Sequence, residues 1–112
     1  MKKQSMLAAI ILLGMTSMAQ AKGSKVEVSA NVPQCQTPEY PLIAFLNEEQ
    51  GNVVINVLVD KNGKILDTKT EKTSGYWNLD HASRRALNKC SFEPAKNQTS
   101  WQKVGFNWKI EA

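Results

Sequence analysis

The chain has 112 residues, 14 basic against 10 acidic, two cysteines and one histidine. That is enough for one small domain, and the charge is too balanced to demand nucleic acid or an anionic membrane. No glycine-rich phosphate loop, nucleophile elbow or metal-ligand cluster appears, so enzymatic, cofactor-dependent and metal-dependent functions find no support in the residues.

Lys2 and Lys3 precede an apolar run from Met6 to Met15, and Ala19-Gln20-Ala21 has the small-x-small form of a cleavage site. Residues 1–21 are expected to be a signal peptide that is removed on export. The alternative is an uncleaved anchor, since Ser5 to Ala21 carries no charge and reaches the lower limit of a spanning helix. No cysteine stands at the cleavage point, which argues against a lipid anchor. Removal of the leader leaves 12 basic residues against 10 acidic, so much of the apparent basicity belongs to the leader.

Cys35 and Cys90 are the two cysteines of a chain expected to leave the reducing cytoplasm. They are expected to form one disulfide, worth roughly 4 kcal/mol by loop closure over about 55 residues. A redox role finds no support, because no Cys-x-x-Cys occurs.

Residues 22–37 form an N-terminal extension. Val26, Val28, Ala30 and Val32 alternate with Lys25, Glu27, Ser29 and Asn31, which reads as a short strand or equally as an extended tail tied at Cys35. The folded domain is expected over 38–112. Pro41 suits a helix start, and Leu42, Phe45 and Leu46 give an apolar face at i, i+3 and i+4, predicting a helix of about two turns that unwinds near Glu48 and Glu49.

Val53, Ile55, Val57 and Val59 alternate with Asn52, Val54, Asn56 and Leu58, the pattern of a strand with one buried face. Asp60-Lys61-Asn62-Gly63 supplies a turn, and Ile65 to Thr73 a second strand. After Ser74-Gly75, Asn78 is the expected N-cap of a helix whose stripe is Leu79, Ala82, Ser83, Ala86, Leu87 and Cys90. Glu93-Pro94 is expected to end it, with a polar loop over 95–100. In the last segment Val104, Phe106, Trp108 and Ile110 face one way, opposite Lys103, Gly105, Asn107, Lys109 and Glu111. The order (β)αββαβ predicts an α+β domain, a three-stranded antiparallel sheet with two helices on one face.

His81 reads as a helix-surface histidine, not an acid–base partner of Asp80, because helix neighbours face apart. Arg84, Arg85 and Lys89 read as a solvated basic face. Phe106 and Trp108 read as core, and Trp77 as a lid on it; an exposed Tyr76–Trp77 pair would instead mark a binding spot.

Tyr40-Pro41, Ala44, Gly51-x-Val53-x-Ile55, Val59-Asp60-x-x-Gly63-x-Ile65, Ser74-Gly75, Leu79-Asp80-x-Ala82, Ala86, Phe92 and Pro94-Ala95 resemble the TonB C-terminal domain family in order and spacing. The resemblance implies a periplasmic domain of a Gram-negative bacterium that receives an extended peptide from an outer-membrane transporter at its final strand. By carry-over, the partner-binding residues are Trp101, Lys103, Val104, Gly105, Phe106, Asn107, Trp108 and Lys109. An open flank of that strand would accept the guest by β-augmentation, with Lys103 and Lys109 steering acidic partners. The pattern also departs from an energy transducer of this family. The leader holds no histidine to couple to motor partners, and about 15 residues from Lys22 to Gln36 reach at most about 50 Å. The resemblance therefore implies an accessory or competing module, with a membrane-anchored transducer or a strand-paired homodimer as alternatives.

Overall fold

Two antiparallel strands carry the core. The computed structural model describes residues 22–30, 34–92 and 99–111; the expected signal peptide, Pro94 and most of the expected loop lie outside the described residues. Strand β3 (Gly51–Val59) and strand β6 (Ser100–Glu111) pair from Gly51↔Trp108 to Val59↔Ser100. Val53, Ile55, Val57 and Val59 are fully buried, as their alternation requires, and so are Val104, Phe106 and Trp108 across the ladder. Each such large side chain withdrawn from water stabilises the fold by about 1.5–3 kcal/mol.

Strand β4 (Ile65–Lys72) joins β3 through the turn at residues 60–64. The Asp60 carboxylate accepts the Asn62 and Lys64 N–H groups at 2.7 and 2.9 Å, and Gly63 takes a φ of 83°. Those two hydrogen bonds hold the Asp60 carboxyl below its ordinary range. Every β4 residue after Ile65 is exposed, many of them threonine or charged, which suits an edge strand that must not recruit neighbours.

The fourth strand comes from the segment that the sequence left open. Strand β1 (Gly23–Ala30) pairs antiparallel with β6 from Gly23↔Glu111 to Ala30↔Val104. The sheet order is therefore β1-β6-β3-β4, four strands where the core pattern predicted three. Strand β2 (Gln34–Cys35) pairs with β5 (Cys90–Ser91) in a small second sheet, and the Cys35–Cys90 disulfide closes across it.

Helix α1 (Leu42–Leu46) and helix α2 (Trp77–Ala86) supply buried Ala44, Leu79, Ser83 and Ala86 to the core. The apolar face expected of α1 does not form a buried face: Leu42 and Leu46 are 68% and 65% exposed. A five-residue helix completes little more than one turn, so Ala44 alone is buried, Phe45 is half-buried edge-on against Tyr40, and Leu42, Ile43 and Leu46 face outward. The helix ends where Glu48 takes a positive φ of 55°, close to the expected unwinding.

The boundaries of α2 also differ from expectation. Tyr76, not Asn78, is the N-cap, and no side chain caps it. Asp80 reaches back instead, accepting the Ser74 N–H at 2.9 Å, the Ser74 hydroxyl at 2.7 Å and the Thr73 hydroxyl. The helix stops at Ala86, a 3₁₀ turn covers Leu87–Lys89, and the chain is extended at Cys90. Pairing with β2 draws residues 90–91 out of the helix well before Pro94, and the Gln36 N–H donates to the Lys89 carbonyl at 3.2 Å.

Candidate functional site

The residues expected to bind a partner all lie on β6, and the structure divides them between its two faces. Val104, Phe106 and Trp108 point into the core. Trp108 is held there by its Nε1–H, which donates to Ser83 Oγ at 2.9 Å, while the Ser83 hydroxyl donates to the Leu79 carbonyl at 2.8 Å. The Tyr40 ring meets Trp108 edge-on at 5.2 Å, and its hydroxyl donates to the Glu49 carbonyl. Burial, reinforced by the nearby Glu49 charge, raises the Tyr40 phenol above its usual range. These side chains anchor the strand; they are not a platform open to a ligand.

The other face is open. Trp101 lies under Lys69, whose Nζ is 5.3 Å from the ring centroid. Lys103 pairs with Glu71 at 3.3 Å, and Asn56 Nδ2 donates to the same carboxylate at 2.9 Å. The Asn56 and Lys103 hydrogen bonds together lower the Glu71 carboxyl. Lys109 faces Glu27 at 3.9 Å, and Asn107 Nδ2 approaches that carboxylate at 3.5 Å. Both lysines expected to steer an acidic partner thus already have acidic neighbours within the sheet. Between them, Ser29, Asn52, Val54, Lys72, Gly105 and Asn107 rim an open depression of about 170 Å³. It is too small for a typical ligand pocket.

The expectation of an open flank on β6 is corrected here. From Val104 to Trp108 the strand is hydrogen-bonded on both sides, to β3 and to β1. The sheet edges are β1 and β4. Gly105 marks how closely β1 sits: a Cβ built there would fall 2.8 Å from Ser29 Oγ.

The aromatic pair at the start of α2 does not cover the core either. Trp77 is 67% exposed and stacks on His81 with centroids 4.4 Å apart, and Tyr76 is also exposed. With Leu42, Ile43 and Leu46 these residues make up much of the large apolar surface left in water. Sequence reasoning missed Glu27 as the partner of Lys109 and Glu71 as the partner of Lys103. The signal for the first was present, since Glu27 alternates with Val26 and Val28, but nothing local says which strand lies beside it.

Fold and site define a class: a disulfide-tied α+β domain with a long central strand, and no cluster of three or more metal-ligating groups among the described residues. The chain belongs to a family within it, the C-terminal domain of the Gram-negative bacterial TonB protein, whose family model matches residues 36–111. Strand β1 lies outside that matched stretch although it is part of the sheet. The chain is 36% identical over 73 residues to Protein TonB of Neisseria meningitidis serogroup C, covering 65% of this chain and 25% of the relative. It is 32% identical over 77 residues to Protein tonB2 of Pseudomonas aeruginosa, covering 65% and 28%. Protein TonB of Xanthomonas campestris pv. campestris is 36% identical over 70 residues, covering 62% and 30%. The chain spans about a quarter to a third of the length of these relatives. No solved structure matches.

Proposed function

We propose that this protein is a non-enzymatic binding module of the Gram-negative envelope, acting in TonB-dependent transport. It would take an extended segment of an envelope protein, an outer-membrane transporter by family resemblance, in the place that β1 holds along β6. Main-chain hydrogen bonds to β6 supply affinity, and side chains at alternate positions supply selectivity. The observation that carries this reading is the β6 flank itself. Beyond β3 it is filled by a strand from outside the family-matched region, and the β1 valines Val26 and Val28 are only partly buried. Export through a cleaved leader belongs to the same reading: the mass of protein recovered from periplasm should correspond to a start at Lys22, whereas a start at Met1 would place it in the inner membrane.

A photo-crosslinking residue at Asn107, on the open face of β6, tests the function in living cells. The expected adduct contains an extended segment of an outer-membrane transporter. Adducts only with a second copy would indicate a strand-paired dimer instead, and adducts only with cytoplasmic proteins would overturn the reading.

A further inference from the structure

We infer that β1 is a resident stand-in for the guest strand, occupying the guest's place on β6 until a better-matched peptide displaces it. The inference rests on the peptide-binding reading above and deepens it, because β1 then describes the guest.

Strand β1 is held chiefly by its main-chain pairing with β6. It contributes no fully buried side chain among those described; Val26 and Val28 pack partly against the core, while Lys22 to Lys25, Glu27 and Ser29 are exposed. Its ionic contacts are surface contacts: Glu27 meets Lys109 at 3.9 Å and Lys25 of its own strand at 3.5 Å, and Lys22, just before the strand, meets Glu48 at 3.2 Å. Exposed pairs of this kind contribute little. Strand β3 on the opposite flank presents four fully buried side chains. Loss of β1 leaves the β3 side of β6 and the helices in place, and uncovers a row of main-chain N–H and C=O groups. The disulfide fixes Cys35 only a few residues beyond Ala30. That tether keeps β1 at high local concentration, so it competes as an intramolecular ligand.

The contacts of β1 then specify what replaces it. Val26 and Val28 lie opposite Trp108 and Phe106. Glu27, between them, sits opposite Asn107 within reach of Lys109. Ser29 lies opposite Gly105, where its Oγ fills the space that a larger side chain on β6 would take. The matching guest is an extended peptide with two β-branched aliphatic residues flanking one acidic residue, followed by a small residue.

The test uses the full chain and a fluorescent peptide, Gly-Ser-Lys-Val-Glu-Val-Ser-Ala, which copies β1. Glu27→Pro/Val28→Pro removes β1 from competition, because successive strand residues aim their N–H groups to opposite sides and one proline must cost a bond to β6. Apparent affinity scales with the fraction of molecules whose flank is free. The double variant should therefore bind at least tenfold more tightly than the unaltered chain. A peptide with lysine in place of its glutamate should bind at least fivefold more weakly. Equal binding by the variant and the unaltered chain would overturn the stand-in and leave the peptide-binding reading intact. No binding by a variant whose β3–β6 amides remain protected would overturn both. Should the variant fail to fold, native-state hydrogen exchange on the unaltered chain decides. The β1 amides and the β6 amides facing them should exchange through a partial opening that spares the β3–β6 bonds. Exchange of both sets only on global unfolding would overturn the stand-in.

Discussion

Ser83 is a small polar residue in an apolar core, and its hydroxyl links the Trp108 indole to the Leu79 carbonyl. Ser83→Ala strands a buried indole N–H and should cost about 1–3 kcal/mol, read from urea unfolding. At the surface, Asp80 acts through charge. Burial pushes its carboxyl up, but hydrogen bonds from Thr73, Ser74 and the Ser74 N–H, with the Arg84 charge, outweigh this and leave it lowered. A folded-state pKa below the unfolded one means that the folded chain binds fewer protons between the two values. The stabilisation is complete above the unfolded value near 4 and is lost as pH falls through the folded one. Asp80→Asn should lower stability by about 1 kcal/mol at neutral pH. It should also flatten the acid limb of a melting-temperature profile; an unchanged limb would remove Asp80 from this role. At this scale the sequence showed which residues face inward, because Val104, Phe106 and Trp108 alternate. It could not show that Lys103 and Lys109 have carboxylates across the sheet, since those contacts depend on strand order.

Among the elements, α1 separates pattern from burial. Its i, i+3, i+4 spacing was legible, but only Ala44 is buried, because a helix this short cannot turn a whole stripe onto the core. Leu42→Lys/Leu46→Lys should therefore change the unfolding free energy by no more than about 0.5 kcal/mol per site. Leu79→Ala in α2 should cost about 2–5 kcal/mol. Similar losses in the two would contradict the burial assigned to α1. The disulfide was legible from two cysteines in a chain expected to be exported, and its consequence for α2 was not: β2–β5 pairing ends the helix before Pro94. Cys35→Ser/Cys90→Ser should lower stability by about 2–5 kcal/mol by chemical denaturation. The same change loosens the tether on β1, so peptide affinity should rise while stability falls, a combination that general destabilisation does not produce.

For the whole molecule, the α+β order and the family resemblance were readable from residues 38 onward, where alternation, turn chemistry and helix stripes agree. The fourth strand was not, because Val26 and Val28 alternate equally well in a tail, and pairing between residues 23–30 and 104–111 is a contact across most of the chain. That one contact changes the functional picture from an edge standing open to a flank already filled by the protein's own β1. On the reading proposed above, a guest and β1 compete for this flank. The deciding measurement follows amide chemical shifts of the protein during titration with the extended peptide of a transporter recovered by crosslinking. The β1 amides should move to disordered values at the same peptide concentrations at which β6 amides shift. Guest shifts confined to β4 or α1, with β1 still paired to β6 at saturation, would contradict it.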